Sequence, residues 1–169
     1  MHLLVEKTIS VRRPAHEVFA YVSNMERFGE WFPGVVSITS SDGLPHGEAG
    51  KVYLETVRVP FRGTRQIALQ VREARAPHFF ATEGNLRPLL PRMEISITAT
   101  APDACTLSWR MFSRGHSTRR VRWLVLPLAR LVMGPRAAKG VATLKARLED
   151  RQSDCGQPLS GERAPRIPT

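Results

Sequence analysis

VEKTISVRRPAHEVFAYVSNMERFGEWFPGV, residues 5–35, is the stretch whose reading decides the fold. Its beginning continues an alternation that starts upstream. Leu3 and Val5, then Ile9 and Val11, stand against polar neighbours, which predicts a strand over residues 2–12. Pro14 follows as a good first helical residue, because its missing N–H is not needed in a first turn. Val18, Phe19 and Val22 recur at helical spacing and predict a helix over 14–24. MERFGEWF, residues 25–32, makes a second short helix with Phe28, Trp31 and Phe32 on one side, and Pro33-Gly34 stops it.

Outward from this stretch the period becomes two. Strands are predicted over 35–40, 51–59, 64–74, 78–84, 93–100 and 105–113, separated by turn residues such as Ser41-Asp42-Gly43 and Pro102-Asp103. Ile67, Leu69 and Val71 oppose Gln66, Gln70 and Arg72. Met93, Ile95 and Ile97 oppose Glu94, Ser96 and Thr98, and Leu107, Trp109 and Met111 oppose Thr106, Ser108 and Arg110. Such alternation marks an antiparallel sheet with one wet and one covered face. From Ser117, an expected N-cap, the period returns to helical as far as residue 150, with Pro127 and Pro135 inside. That predicts one bent helix or a short helix followed by a longer one. A single domain over 1–150 is expected, then a Pro- and Gly-rich tail, 151–169, expected to be disordered.

The formal net charge is +10, unevenly spread. Residues 1–60 carry six basic and seven acidic side chains, and residues 61–148 carry sixteen and four. A basic surface can attract nucleic acid or anionic lipid. The absence of any Lys/Arg run longer than two and of an aromatic-interleaved RNA motif argues against nucleic acid. Cys105 and Cys155 form no CxxC and build no disulfide scaffold. MHLLVEKT has no signal-peptide pattern, so a cytoplasmic location is expected. The longest apolar stretch, Trp123–Met133, is too short to span a bilayer. No HExxH, GxSxG, P-loop or GxGxxG is present, so neither metal nor cofactor is expected.

The order of elements resembles the helix-grip fold of the START-like (SRPBCC) superfamily, which includes polyketide cyclases and dehydratases and lipid-transport-like proteins. Ile9-x-Val11 with Pro14, Glu17-Val18-Phe19, and Trp31-x-Pro33 leading into Val35-Val36 carry the resemblance, which covers residues 2–148. It implies an α+β fold: about seven antiparallel strands curved around a long C-terminal helix, with two short helices after the first strand. Its motifs are packing residues and speak to fold more than to function. The departure from the pattern is the Pro-interrupted, very apolar first half of the last helix.

A strongly curved sheet cannot fill its own concave side, so a helix laid across it leaves space for an apolar ligand. The expected lining is Trp31 and Phe32 at the mouth, then Tyr53, Leu54, Glu55, Ile67, Leu69, Phe80, Arg92, Ile95, Ile97, Trp109 and Met111 from the strands. Leu124, Leu128, Leu131 and Val132 would come from the helix. Trp31 and Phe32 read more readily as packing aromatics. Glu55 shares a face with Tyr53 and Val57. Buried, it would have a raised pKa and could act as acid or base, but a solvated carboxylate is the commoner placement. The expected partner is a hydrophobic small molecule (lipid, polyketide or isoprenoid-like) that is carried or sequestered. An acid/base enzyme of the cyclase or dehydratase type is the alternative. Apolar side chains fall on nearly every side of Val121–Met133. Burial, a lid, a dimer contact and an anionic membrane surface met by Arg119, Arg120, Arg122 and Arg130 all stay open for that segment.

Overall fold

Strand β1, His2–Val11, and strand β2, Val35–Ser40, end up at opposite edges of one sheet. The chain between them must therefore cross the whole sheet, and this decides what residues 12–34 do. The computed structural model describes residues 1–59, 63–115 and 121–154. Its seven strands add β3 (Val52–Val59), β4 (Gly63–Arg75), β5 (Phe79–Gly84), β6 (Pro91–Ala101) and β7 (Ala104–Ser113). All neighbours are antiparallel, in the order β1-β7-β6-β5-β4-β3-β2. This is the helix-grip arrangement expected from the sequence. Register shifts at Leu3/Val5, Val35/Ser37, Val71/Glu73 and Ala99/Ala101 are bulges, which bend strands and increase their twist. The first also settles the faces of β1. The extra residue, Leu4, turns inward and is buried, while Leu3 stays exposed.

The crossing segment is built as expected, in slightly different pieces. Pro14 sits at the N-cap of helix α1, Ala15–Ser23, and its carbonyl accepts from the Glu17 and Val18 N–H groups. Val18, Phe19 and Val22 are buried. The second helix starts as a 3-10 turn, Met25–Arg27, because the Asn24 side chain accepts from the Glu26 N–H and caps it there. It continues as helix α2, Phe28–Trp31. Phe28 and Phe32 stack at 4.9 Å between ring centroids, and Phe32 lies 5.2 Å from Trp109 of β7.

The C-terminal helix α3, Leu126–Asp154, follows directly on a π turn over Val121–Val125. Pro127 costs little because it lies in the first turn. Pro135 lies inside the helix without ending it. Its neighbour is Gly134, which has no Cβ to meet the proline ring. Ala137, Val141, Leu144 and Leu148, spaced four, three and four residues apart, bury one face. The expected N-cap Ser117 lies outside the described residues. So does the tail from 155 on; residues 151–154 are helical.

Gly140 sets how closely α3 approaches. A Cβ there would lie 2.9 Å from Cδ2 of Phe32, a ring held on both faces and unable to give way cheaply. Gly140→Val should lower stability by about 2 kcal/mol or more, overpacking outweighing the gain in helix propensity. Thermal melts check this. In a double-mutant cycle, Phe32→Leu should recover part of the loss.

Candidate functional site

The second half of α3 is seated on β1 and the aromatic stack, but its first half stands off the sheet. Between them lies a cavity of about 430 Å³. Its floor is Ile67 and Leu69 of β4, Thr82 and Gly84 of β5, Met93 of β6 and Met111 of β7. Leu4, Met25, Phe28, Phe32 and Val35 close one side, and Val125, Ala129, Val132 and Met133 form the roof. The lining residues that are also exposed, Arg58, Arg87, Pro88 and Leu128, mark its opening.

One carboxyl reaches this apolar space. Tyr53, Glu55 and Val57 point inward on β3 while Leu54 points out, so Glu55 is buried, only 7% exposed. This reverses the commoner solvated placement. Its cross-strand neighbours are Ile38 and Ile67, themselves buried. It has no hydrogen-bond or ion-pair partner among the described residues. Burial alone pushes its pKa up to about 7. The Glu55 side chain is therefore both an acid and a base near neutrality, the range in which proton transfer is efficient.

Three arginines line the cavity: Arg58, Arg87 and Arg136. None makes an ion pair among the described residues. The Arg136 guanidinium lies over Gly34, where a Cβ would stand 3.0 Å from Nη1 and where φ is +97°. The positive φ is what favours glycine there; the Arg136 side chain could shift to admit a Cβ. The Arg58 N–H donates to the Gly34 carbonyl at 2.8 Å.

Of the residues expected to line the space, Phe32, Glu55, Ile67, Leu69, Met111, Leu128 and Val132 are brought together. Trp31, Tyr53, Phe80, Ile95, Ile97 and Trp109 are buried in the core beside it. Tyr53 is held by His46, whose Nδ1 lies 2.8 Å from the phenol oxygen, and burial pushes that phenol up to about 12. Four placements are corrected. Leu54 is 37% exposed, because the strand's alternation turns it outward. Arg92 lies on the outer face, bonded to Glu83 and Glu94 at 3.0 and 2.7 Å. Leu124, and Leu131 with it, are more than two-thirds exposed. The sequence reading missed Leu4, which only the bulge brings inward. It also missed Met25, Thr82, Ala129 and the arginines at the opening. Of the last, Arg87 had one signal, the excess of basic over acidic residues after position 60, and Arg58 had none.

Among the described residues no three or more His, Cys, Asp or Glu side chains gather into a metal site, and no helix is long and apolar enough to cross a membrane.

Sheet, grip helix and the space between them define a START-like protein. The chain belongs to the family described as polyketide cyclase / dehydrase and lipid transport, whose model matches residues 2–149. A START superfamily protein from Mycobacterium smegmatis has a similar structure, with a TM-score of 0.70 at 16% identity over 89% of this chain and 99% of that one. The di-domain ARO/CYC StfQ from the steffimycin biosynthetic pathway is similar too. Its TM-score is 0.69 at 12% identity, over 90% of this chain and 52% of StfQ. A conserved protein from Geobacillus kaustophilus gives 0.60 at 11% identity, over 85% and 93%. At such identities the likeness is one of fold. No curated protein matches the chain in sequence.

Glu55 makes stability depend on pH. Unfolded, it ionises near 4.5; folded, near 7. Between those values the folded state holds a proton that the unfolded state has lost, so stability falls as pH rises through the window and levels off above it. Glu55→Gln should flatten that slope in urea melts and make the protein more stable at alkaline pH by about 2 kcal/mol.

Proposed function

We propose that this protein binds a hydrophobic small molecule, of lipid, polyketide or isoprenoid-like character, in the cavity under α3, and that it carries or sequesters it. The observation that carries this reading is the size and lining of the cavity. Its volume of about 430 Å³ falls within the roughly 300–1,000 Å³ of small-molecule sites, and nearly all of its lining is apolar. Binding then comes chiefly from apolar area removed from water, at about 25 cal/mol per Å². Glu55, protonated, donates a hydrogen bond to a ligand oxygen and fixes its orientation. The lipid transport named in the family's description supports this reading. A cytoplasmic location fits a chain whose Cys105 is a free, buried thiol. The test is native mass spectrometry of protein purified from its own host, joined to uptake of a fluorescent apolar probe. A co-purifying small molecule and probe uptake are expected. Ala129→Phe, which fills the space from the roof, should weaken uptake at least about tenfold while leaving the melting temperature within a few degrees. A consistently empty protein that takes up no probe overturns the reading.

Glu55 favours a second reading, an acid/base enzyme of the cyclase or dehydratase type. The reaction would abstract a proton α to a ketone, or protonate a departing hydroxyl, inside the dry cavity. A β-hydroxy ketone small enough for the cavity should then lose water with a rate that responds to pH near 7. Glu55→Gln should lower kcat by about 10²–10⁴-fold while leaving probe uptake in place. No turnover above the buffer rate leaves the carrier reading alone.

A further inference from the structure

Among the described residues, four of the nine exposed large apolar side chains fall within nine residues, in the π turn before α3 and the first turns of α3. Trp123, Leu124, Leu128 and Leu131 are 69, 70, 54 and 73% exposed. Soluble surfaces scatter such residues singly, and a cluster marks a contact. Leu128 lies at the boundary between this stripe and the cavity-facing side, because it lines the cavity and is exposed at once. The stripe thus borders the opening.

The charge around the stripe selects its occupant. From Ala104 to Leu148 the sequence has ten basic residues and no acidic one. Arg58 and Arg87 at the opening, with Arg136 beside them, have no acidic partner among the described residues. Arg130, on the helix itself, donates to the Leu3 carbonyl at 3.0 and 3.3 Å and meets no carboxylate among the described residues. A second copy of this chain would bring the same cations against them and be repelled. A nucleic acid would satisfy the arginines but leave Trp123 and the leucines in water. An anionic bilayer satisfies both, with cations at lipid phosphates and the apolar stripe in the acyl boundary.

We infer that the π turn and the start of α3 form a membrane-docking surface: Trp123, Leu124, Leu128 and Leu131 enter an anionic bilayer leaflet with Arg58, Arg87 and Arg130 at its phosphates. In that pose the cavity opening faces the lipid, so an apolar molecule passes between leaflet and cavity without crossing water. Docking itself does not require the cavity to be filled.

Vesicle co-sedimentation tests it, with phosphatidylcholine vesicles and with the same vesicles containing phosphatidylglycerol, at low and high salt. The wild-type chain should sediment with the anionic vesicles, less so at high salt. Leu124→Ser with Leu131→Ser removes two residues that line no cavity. It should weaken this partitioning at least about tenfold while leaving melting temperature and probe uptake unchanged. Three results would overturn the inference: no anionic-vesicle binding at low salt, equal binding by the double variant, or a light-scattering dimer that the double variant reduces to monomer. Probe uptake measured in parallel stands or falls separately, so loss of docking is distinguishable from loss of the ligand-binding reading.

Discussion

The rest of the structure depends on one close approach, that of Gly140 to the ring of Phe32. Because the glycine has no Cβ, α3 comes down onto a stack that already joins the crossing segment to the sheet through Phe28, Phe32 and Trp109. Beyond this point the helix is fixed by Val141, Leu144 and Leu148 and by polar ties to the start of the chain. The Arg13 guanidinium donates to the Leu148 carbonyl at 2.8 Å, and the Arg12 N–H donates to Glu149. Before it, the helix spans the concave sheet, with Leu126 buried and the Arg130 guanidinium donating to the Leu3 carbonyl of β1. The cavity is the consequence: the seated half carries the packing, so the other half can leave space. Unfilled apolar space forfeits dispersion contacts, which an apolar occupant restores.

The two faces of the sheet treat carboxylates in opposite ways. On the outer face Glu83 meets Arg72, Arg92 and Arg114, and Glu94 meets Arg92 and Arg110. These guanidiniums hold Glu83 below the usual carboxylate range despite its partial burial. On the inner face Glu55 meets isoleucines and rises to about 7. Meanwhile the arginines lining the cavity have no ion-pair partner among the described residues. The cavity thus holds cations and a carboxyl that do not pair with one another.

Local pattern carried most of the architecture. Every strand was legible from alternation, and the two short helices from the spacing of Val18, Phe19, Val22 and the three aromatics. What alternation could not reveal was a departure from itself. The bulge that turns Leu4 inward is a register event between strands, with no signal in either strand alone. Tyr53, Glu55 and Val57 oppose Leu54 and Thr56, two mixed faces of similar polarity, so their side was decided only by pairing with Ile38 and Ile67. The helix misled for a different reason. Leu124 and Leu131 are as apolar as any core residue, and burial was the natural expectation. Whether a leucine stripe is covered depends on what lies opposite, and among the described residues these two stay 70 and 73% exposed.

That uncovered stripe and the seated half of α3 meet at Gly134-Pro135, and the position of this pair has mechanical consequences. Pro135 cannot donate to the Leu131 carbonyl, so the hydrogen-bond ladder is weakest there. The missing Cβ of Gly134 keeps the helix continuous across the gap instead of breaking it. Every roof residue except Arg136 lies on the N-terminal side: Val125, Leu128, Ala129, Val132 and Met133. Of the buried side chains of α3, Leu126 lies on that same side, and Ala137, Val141, Leu144 and Leu148 lie on the other. The Gly140–Phe32 contact lies on the second side, so the residues that seat the helix on the aromatic stack are not those that roof the cavity. The very apolar, proline-interrupted opening of this helix, which sets the chain apart from its family's pattern, separates the part that covers the cavity from the part that holds the protein together.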